Sequence, residues 1–214
     1  MKIVHFSDLH GMFELIGDIE KPDLWICTGD FMPNFTNPRM DKKTRLSVER
    51  EKQGQWLHDN LDDLNKMLRD VPIFWTNGNH DFIKPFGVKN LTYLEEGKYG
   101  EFNGLKFAGF PEVPRLSGYW NGEVGTEEMI RICRNVFSEP FQVLLTHTPP
   151  VNILDNVSYW GYESTGSQPL REYIFESEVI LHCFGHIHEQ GGKIREMAGI
   201  TFSNAATVFN VIEL

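Results

Sequence analysis

Apolar residues along the chain gather in short runs, rich in β-branched and aromatic side chains and bounded by turn residues, which predicts buried strands rather than helices. Such runs fall at 2–7, 24–29, 72–77, 141–146 and 179–184. Between the second and third the pattern changes. Gln53, Trp56, Leu57, Leu61, Leu64 and Leu68 recur at helical spacing in a polar stretch, predicting a helix that lays one face on a sheet. Strands alternating with helices predict βαβ units and parallel pairing. Asn103-Gly104, between apolar runs at 99–102 and 105–108, predicts a two-residue hairpin, because both central positions of a type I′ turn need positive φ. Runs at 193–197, 200–204 and 207–213, separated by Gly199 and Asn204-Ala205-Ala206, predict a second hairpin or meander. No linker-like composition shift, low-complexity segment or solenoid-length repeat interrupts the chain. The expected architecture is α/β: one domain over 1–214, a two-sheet β-sandwich flanked by helices.

Composition narrows the partners. The 214 residues, 41% hydrophobic and 23% charged, suffice for a continuous core and exclude a disordered or fibrous chain. Thirty acidic against twenty basic residues give a formal charge of −10, so the surface should repel nucleic acid and anionic membrane. Cys27, Cys133 and Cys183 are odd in number, far apart and in apolar surroundings. They argue against a disulfide framework or thiolate zinc site and fit a reducing compartment. With no leader pattern at the start and no apolar run of about 18 residues, a soluble cytoplasmic protein with no membrane partner is expected. Eight histidines in an acidic chain are either scattered or gathered in one place.

Metal-ligand types of residue follow each of the five predicted strands. They are Asp8 and His10, then Asp30 after Gly29, then Asn79, His80 and Asp81 after Gly78, then His147, then His186 and His188 after Gly185. Loops at the carboxyl edge of a mostly parallel sheet converge on a crevice, so these clusters can meet. An Asp-x-His pair or a Gly-Asp alone is ordinarily a turn or cap. A His-x-His pair is more telling, because alternate residues of an extended segment point the same way. The coincidence of all five, in order and at strand ends, carries the argument. Carboxylate and amide oxygens with imidazoles suit divalent manganese, iron, zinc, nickel or cobalt, and the absence of cysteine argues against soft-metal or iron–sulfur chemistry. So many donors exceed one tetrahedral zinc and suit two ions sharing a carboxylate. Two such ions, about 3.5–4 Å apart, can hold a bridging hydroxide and neutralise phosphoryl oxygens, which points to phosphoester hydrolysis.

The ordered set Asp8-x-His10, Gly29-Asp30, Gly78-Asn79-His80-Asp81, His147 and Gly185-His186-x-His188 resembles the signature of the calcineurin-like metallophosphoesterase superfamily, over nearly the whole chain. The resemblance implies the α/β/β/α fold of that family, two facing sheets with helices outside. It implies that Asp8, His10, Asp30 and His188 hold one divalent ion while Asp30, Asn79, His147 and His186 hold the other, with Asp30 as the bridge. Manganese comes first, with iron, zinc, nickel, cobalt or magnesium as alternatives. His80 would protonate the leaving oxygen or stabilise the transition state, and Asp81 would orient the His80 imidazole.

Departures within the family narrow the substrate. Phosphoprotein phosphatases carry Val-Asp-Arg-Gly after the bridging aspartate and an arginine before Gly-Asn-His. Here Phe31-Met32-Pro33-Asn34 follows Asp30 and Asn77 occupies the arginine position, so the bidentate phosphate fork is missing. The tyrosine ligand of purple acid phosphatases is also missing, since no tyrosine follows Asp30 until Tyr93. Segments 144–150 and 184–192 are similar to the compact metallophosphoesterase-domain-containing proteins and, more loosely, to class III cyclic nucleotide phosphodiesterases, with Thr148 where that branch usually has glycine. The implied function is hydrolysis of a small phosphomono- or phosphodiester, with a cyclic nucleotide as one candidate. A nuclease and a catalytically weak binding scaffold are the alternatives. The charge counters the first and the full ligand set the second. Outside the motifs, His5 and His182 read as satisfied sheet residues and His58 as exposed. Tyr119-Trp120 and Tyr159-Trp160-Gly161-Tyr162 read as loop aromatics packing over the sheet rather than stacking on a nucleobase. Lys42, Lys43 and Arg45 read as a solvated helix face rather than a phosphate site.

Overall fold

The computed structural model describes residues 1–37, 40–158 and 164–214. In chain order the strands are β1 (Lys2–Phe6), β2 (Leu24–Cys27), β3 (Ile73–Trp75), β4 (Leu91–Tyr93), β5 (Tyr99–Phe102), β6 (Leu105–Phe110), β7 (Val113–Pro114), β8 (Glu123–Val124), β9 (Val143–Thr146), β10 (Leu181–Phe184), β11 (Lys193–Met197), β12 (Ile200–Asn204) and β13 (Phe209–Glu213). The helices are α1 (Lys42–Leu68), α2 (Thr126–Val136) and α3 (Gln168–Phe175). α1 starts where the Asp41 carboxylate accepts the Thr44 N–H at 3.0 Å, and stops where Arg69 turns left-handed at φ 57°. α3 starts at Ser167, whose hydroxyl accepts the Leu170 N–H, with Pro169 in the first turn.

One sheet has the order β13-β1-β2-β3-β4 and is parallel except where β13 runs antiparallel to β1. The other has the order β11-β12-β10-β9-β6-β5, with a parallel middle and an antiparallel hairpin at each edge. Strand alternation divides the interior into three layers. Val4, Phe6, Trp25 and Trp75 face outward from the first sheet and pack with Leu57, Leu64 and Leu68 of α1. Leu144, Phe184 and Phe202 face outward from the second, against Met129, Ile132 and Val136 of α2 and Leu170 and Ile174 of α3. Between the sheets lie Ile3, Leu24, Ile26, Phe74, Phe107, Val143, Leu145 and Leu181. This is the helix, sheet, sheet, helix order anticipated from the sequence.

The 103–104 turn forms as expected, with Asn103 at φ 51° and Gly104 at φ 77°. The terminal hairpin forms too, without extending into a meander. β11 and β12 form the hairpin, but β10 occupies the free edge of β12, so β13 crosses to the open edge of β1. The predicted strand 24–29 ends early because Gly29 sits at φ 97°, outside any strand conformation. α2 was not anticipated, although Met129, Ile132, Cys133 and Val136 have helical spacing on its buried side. The solvated reading of the α1 start holds for Lys42 and Lys43 but fails for Arg45, which is 1% exposed. Of the loop aromatics, 159–162 lie outside the described residues. The three cysteines are free and buried, and among the described residues no helix is long and apolar enough to cross a membrane.

Candidate metal centre

The loops after β1, β2 and β3 leave one sheet, those after β9 and β10 leave the other, and all five meet at the carboxyl ends. The first two run side by side, with Asp8 N–H donating to Gly29 O at 2.9 Å and His10 N–H to Asp30 O at 3.0 Å. The two buried carboxylates then gather the remaining loops. Asp30 Oδ1 accepts the His80 N–H at 2.7 Å, and Asp8 Oδ2 accepts the His186 N–H at 3.0 Å. Glycine is required beside each: a Cβ on Gly78 would lie 2.2 Å from Asp30 Oδ1, and one on Gly185 2.2 Å from Asp8 Oδ2. Asp8, His10, Asp30 and His186 all have positive φ, at 56°, 45°, 49° and 68°. A side-chain-bearing residue gives up roughly 1–2 kcal/mol in that region. Four such residues in one place fit the clustering of backbone strain at functional sites.

Ligand-type atoms of Asp8, His10 and His188 lie within 4.8 Å of one another, and so do those of Asp30, His147 and His186. Asp30 also groups with His10 and His80. His188 Nε2 is 3.1 Å from Asp8 Oδ1, and His147 Nε2 is 3.2 Å from both Asp30 Oδ2 and His186 Nδ1. His147 Nδ1 meets the Thr28 carbonyl at 2.8 Å. A carbonyl only accepts, so Nδ1 carries a proton and Nε2 faces the cluster. Burial works against charge on Asp30 and Asp8, yet His147 and neighbouring imidazoles hold both below the usual carboxylate range. His147 is pushed up to about 9, because Asp30 and Asp8 more than offset its burial. His186 is brought down to about 4 by burial and by His147.

His80 and Asp81 differ from expectation in one respect. Asp81 does not touch the His80 ring. Its Oδ1 accepts the Phe31 and Met32 N–H groups and its Oδ2 the Gly78 N–H, so it ties the loop after β3 to the loop after β2. Burial and the charge of Asp30 push its carboxyl up to about 7. The ring is held instead by Asn34, whose Oδ1 is 2.9 Å from His80 Nδ1, and Nε2 then lies 4.0 Å from Asp30 Oδ2. Asn34 belongs to no motif, and nothing in its sequence neighbourhood marks it as a partner of His80.

Other supports were equally silent in the sequence. Gln53 of α1 donates to His80 O and Pro33 O and accepts the Phe82 N–H, while Glu49, one turn earlier, accepts from Phe35 and Thr36. Asn204 donates to Ile187 O at 3.3 Å and braces the His186 loop. His5 is satisfied at both nitrogens, by Ser203 Oγ and Thr28 Oγ1 at 2.9 Å each. Burial lowers it to about 3. His182 departs from the satisfied reading: Nε2 bonds Thr146, Nδ1 has no hydrogen-bond partner among the described residues, and the ring packs near Phe184 and Phe202 on the outer face of its sheet. His58 is exposed on α1. A cavity of about 800 Å³ opens beside His186 and His188, walled in part by Leu116, Trp120, Val157 and Ile187, with Arg115 among its polar lining.

The donor set suits divalent cations. It consists of oxygens and imidazoles without thiolate, and the Asn79 side-chain oxygen and His10 Nδ1 are buried with no hydrogen-bond partner among the described residues. Residues 1–190 match the calcineurin-like phosphoesterase family. The chain is 33% identical to UPF0046 protein K07C11.7 of Caenorhabditis elegans, over 96% of this chain and 69% of that protein. A crystal structure with 17% identity shares the fold at a TM-score of 0.66, covering 95% of this chain and 89% of its own. Phosphopantetheinyl hydrolase from Mycobacterium tuberculosis does so at 0.50, with 14% identity and coverage of 95% and 88%. The chain therefore belongs to the calcineurin-like phosphoesterases, metal-dependent hydrolases whose family chemistry uses a dimetal centre.

Proposed function

We propose that this chain hydrolyses a small phosphomono- or phosphodiester, with a cyclic nucleotide as one candidate. Asp8, His10, Asp30 and His188 would hold one divalent ion, and Asp30, Asn79, His147 and His186 the other. The observation that carries this reading is the pair of ion-sized clusters, one on Asp8 and one on Asp30, at the meeting of five loops. Two bound divalent ions, manganese first, would supply charge to the phosphoryl oxygens and bring a water near its ionisation point at neutral pH. The chain's residues do the rest. Asp30, fixed by the His80 N–H, offers its other oxygen toward His147. His80, held through Nδ1 by Asn34, presents Nε2 to the centre, where it can give a proton to the leaving oxygen. The organic part of the substrate would lie in the cavity beside His186 and His188.

The reading of 1–214 as one metallophosphoesterase domain is supported by the pairing of β1 with β13. Three free, buried cysteines support a reducing, cytoplasmic setting.

The test is a panel of phosphoesters, including 2′,3′- and 3′,5′-cyclic nucleotides, assayed with manganese, nickel and magnesium. Metal-dependent hydrolysis is expected and Asn79→Ala should abolish most of it. His80→Ala should keep its metal and slow turnover on the order of 10²-fold, most for poor leaving groups. No turnover with any metal, or an unaffected Asn79→Ala, overturns the proposal.

A further inference from the structure

His80 also stands in a stack that metal chemistry does not require. Its imidazole centre lies 3.8 Å from that of the Trp120 ring, tilted by 33°, and the guanidinium carbon of Arg45 lies 3.9 Å from the Trp120 ring centre. Two planar groups this close to one ring centre must take opposite faces, since on one face they would overlap. Trp120 is thus sandwiched between the imidazole and the guanidinium.

Arg45 is committed to this position. It is 1% exposed, and its three guanidinium nitrogens are buried with no hydrogen-bond partner among the described residues. The acids that influence it bond elsewhere: Glu49 accepts from Phe35 and Thr36, and Glu123 from Ser117 and Gly118. Its close favourable contacts are ring faces, Trp120 and, at 5.8 Å, Phe82. The Trp120 loop is fastened to the His80 loop as well. Asn121 N–H donates to Asn79 O at 3.0 Å, and the Asn121 side chain donates to Asp81 O at 2.7 Å. At the other end of that loop, Lys42 Nζ donates to Gly118 O at 2.7 Å. A single hydrogen bond at Nδ1 leaves an imidazole free to swing about that bond, and a flat group against its face removes the freedom.

We propose that Arg45 and Trp120 are positioning residues for His80: the buried guanidinium holds the indole against the imidazole and fixes the plane in which Nδ1 meets Asn34 and Nε2 faces Asp30. This rests on His80 as the group that assists the leaving oxygen. The experiment compares Trp120→Leu, Trp120→Phe, Arg45→Met and Arg45→Lys with His80→Ala, in two readouts. In metal-free protein, NMR should show the His80 ring protons shifted upfield by the indole, with the shift lost in Trp120→Leu and reduced in Arg45→Met. In loaded protein, kcat for a poor-leaving-group ester should fall about tenfold in both, with KM and metal content unchanged and a smaller loss for a nitrophenyl ester. Trp120→Phe and Arg45→Lys should restore most of both signals. Folded Arg45→Met with unchanged His80 resonances and kcat overturns the proposal, as does Trp120→Leu that raises KM alone. If His80→Ala itself shows no leaving-group dependence, the acid role is what fails, and the resonances still decide the stack. Should Arg45→Met not fold, Trp120→Leu and Trp120→Phe decide by the same readouts.

Discussion

The layer between the two sheets has an apolar part and a polar part, built from the same strands. On β1 and β13, Ile3 sits opposite Ile212, and two residues further along β1 on the same face His5 sits opposite Asn210. Around Ile3 the layer is filled by Leu24, Val143, Leu181 and the Phe74–Phe107 pair, stacked at 4.3 Å and 5°. Around His5 it is filled by Thr28 and Ser203, and Ser203 takes a further bond from Asn210 at 2.9 Å. Alternation decides which face a residue takes, while its distance from the carboxyl end decides its chemistry. The apolar part stabilises by removing area from water. The polar part must satisfy each donor and acceptor, and in doing so it fixes Thr28, whose carbonyl orients His147. One part serves the fold and the other serves the site through the fold.

Three substitutions would break or sharpen this contrast. Asp30→Ala should have the largest effect, a loss of activity on the order of 10³-fold or more, because the residue proposed to serve both ion positions is removed. Metal analysis should find both ions gone, whereas retention of one ion with most of the activity would end the shared-carboxylate reading. Phe107→Ala should remove about 3–5 kcal/mol of stability by urea titration, through lost transfer energy and a cavity against Phe74. Turnover per folded molecule should not change, and a fall would mean the apolar part also positions the site. At neutral pH His5→Asn should have the smallest effect, because its influence appears only in acid. His5 is lowered to about 3 in the folded protein against an ordinary value near 6.5, so the unfolded chain binds the extra proton between those values. Its contribution to stability is complete above about pH 6.5 and is lost as pH falls toward 3, by up to about 1.4 kcal/mol per pH unit. In chelator, the acid limb of stability should therefore be shallower in His5→Asn. An unchanged slope would show that this histidine carries no such penalty.

Residues that announce themselves by type and local spacing were legible. The five clusters after strands, the Asn103-Gly104 turn and the outward face of α1 are each written within a few positions of sequence. What was hidden depends on contacts between distant segments. Arg45 looked like one cation among several at a helix start, because nothing local places a tryptophan 75 residues later over its guanidinium. Asn34 and Asn204 have no motif, and their roles exist only once the loops they brace have arrived. The family resemblance implies Asp81 at the His80 ring, but its carboxylate is captured by three backbone amides, two of them some fifty residues away, which no motif shows. The crossing of β13 had a similar cause, since the free edge of β12 had been taken by β10.

That crossing has a consequence for how the molecule is made. The edge of β1 is completed by a segment more than two hundred residues away, and the contact between Asp8 and His188 spans 180 positions. Contacts of such separation are closed late, because a long loop must be ordered before they return anything. A growing chain can assemble β1, β2 and α1 early, yet the cluster around Asp8 and His10 and the one around Asp30 and His147 each lack an imidazole until His188 and His186 emerge. Until those imidazoles arrive, the candidate ion site is half built, and the strand that completes the first sheet, β13, follows them.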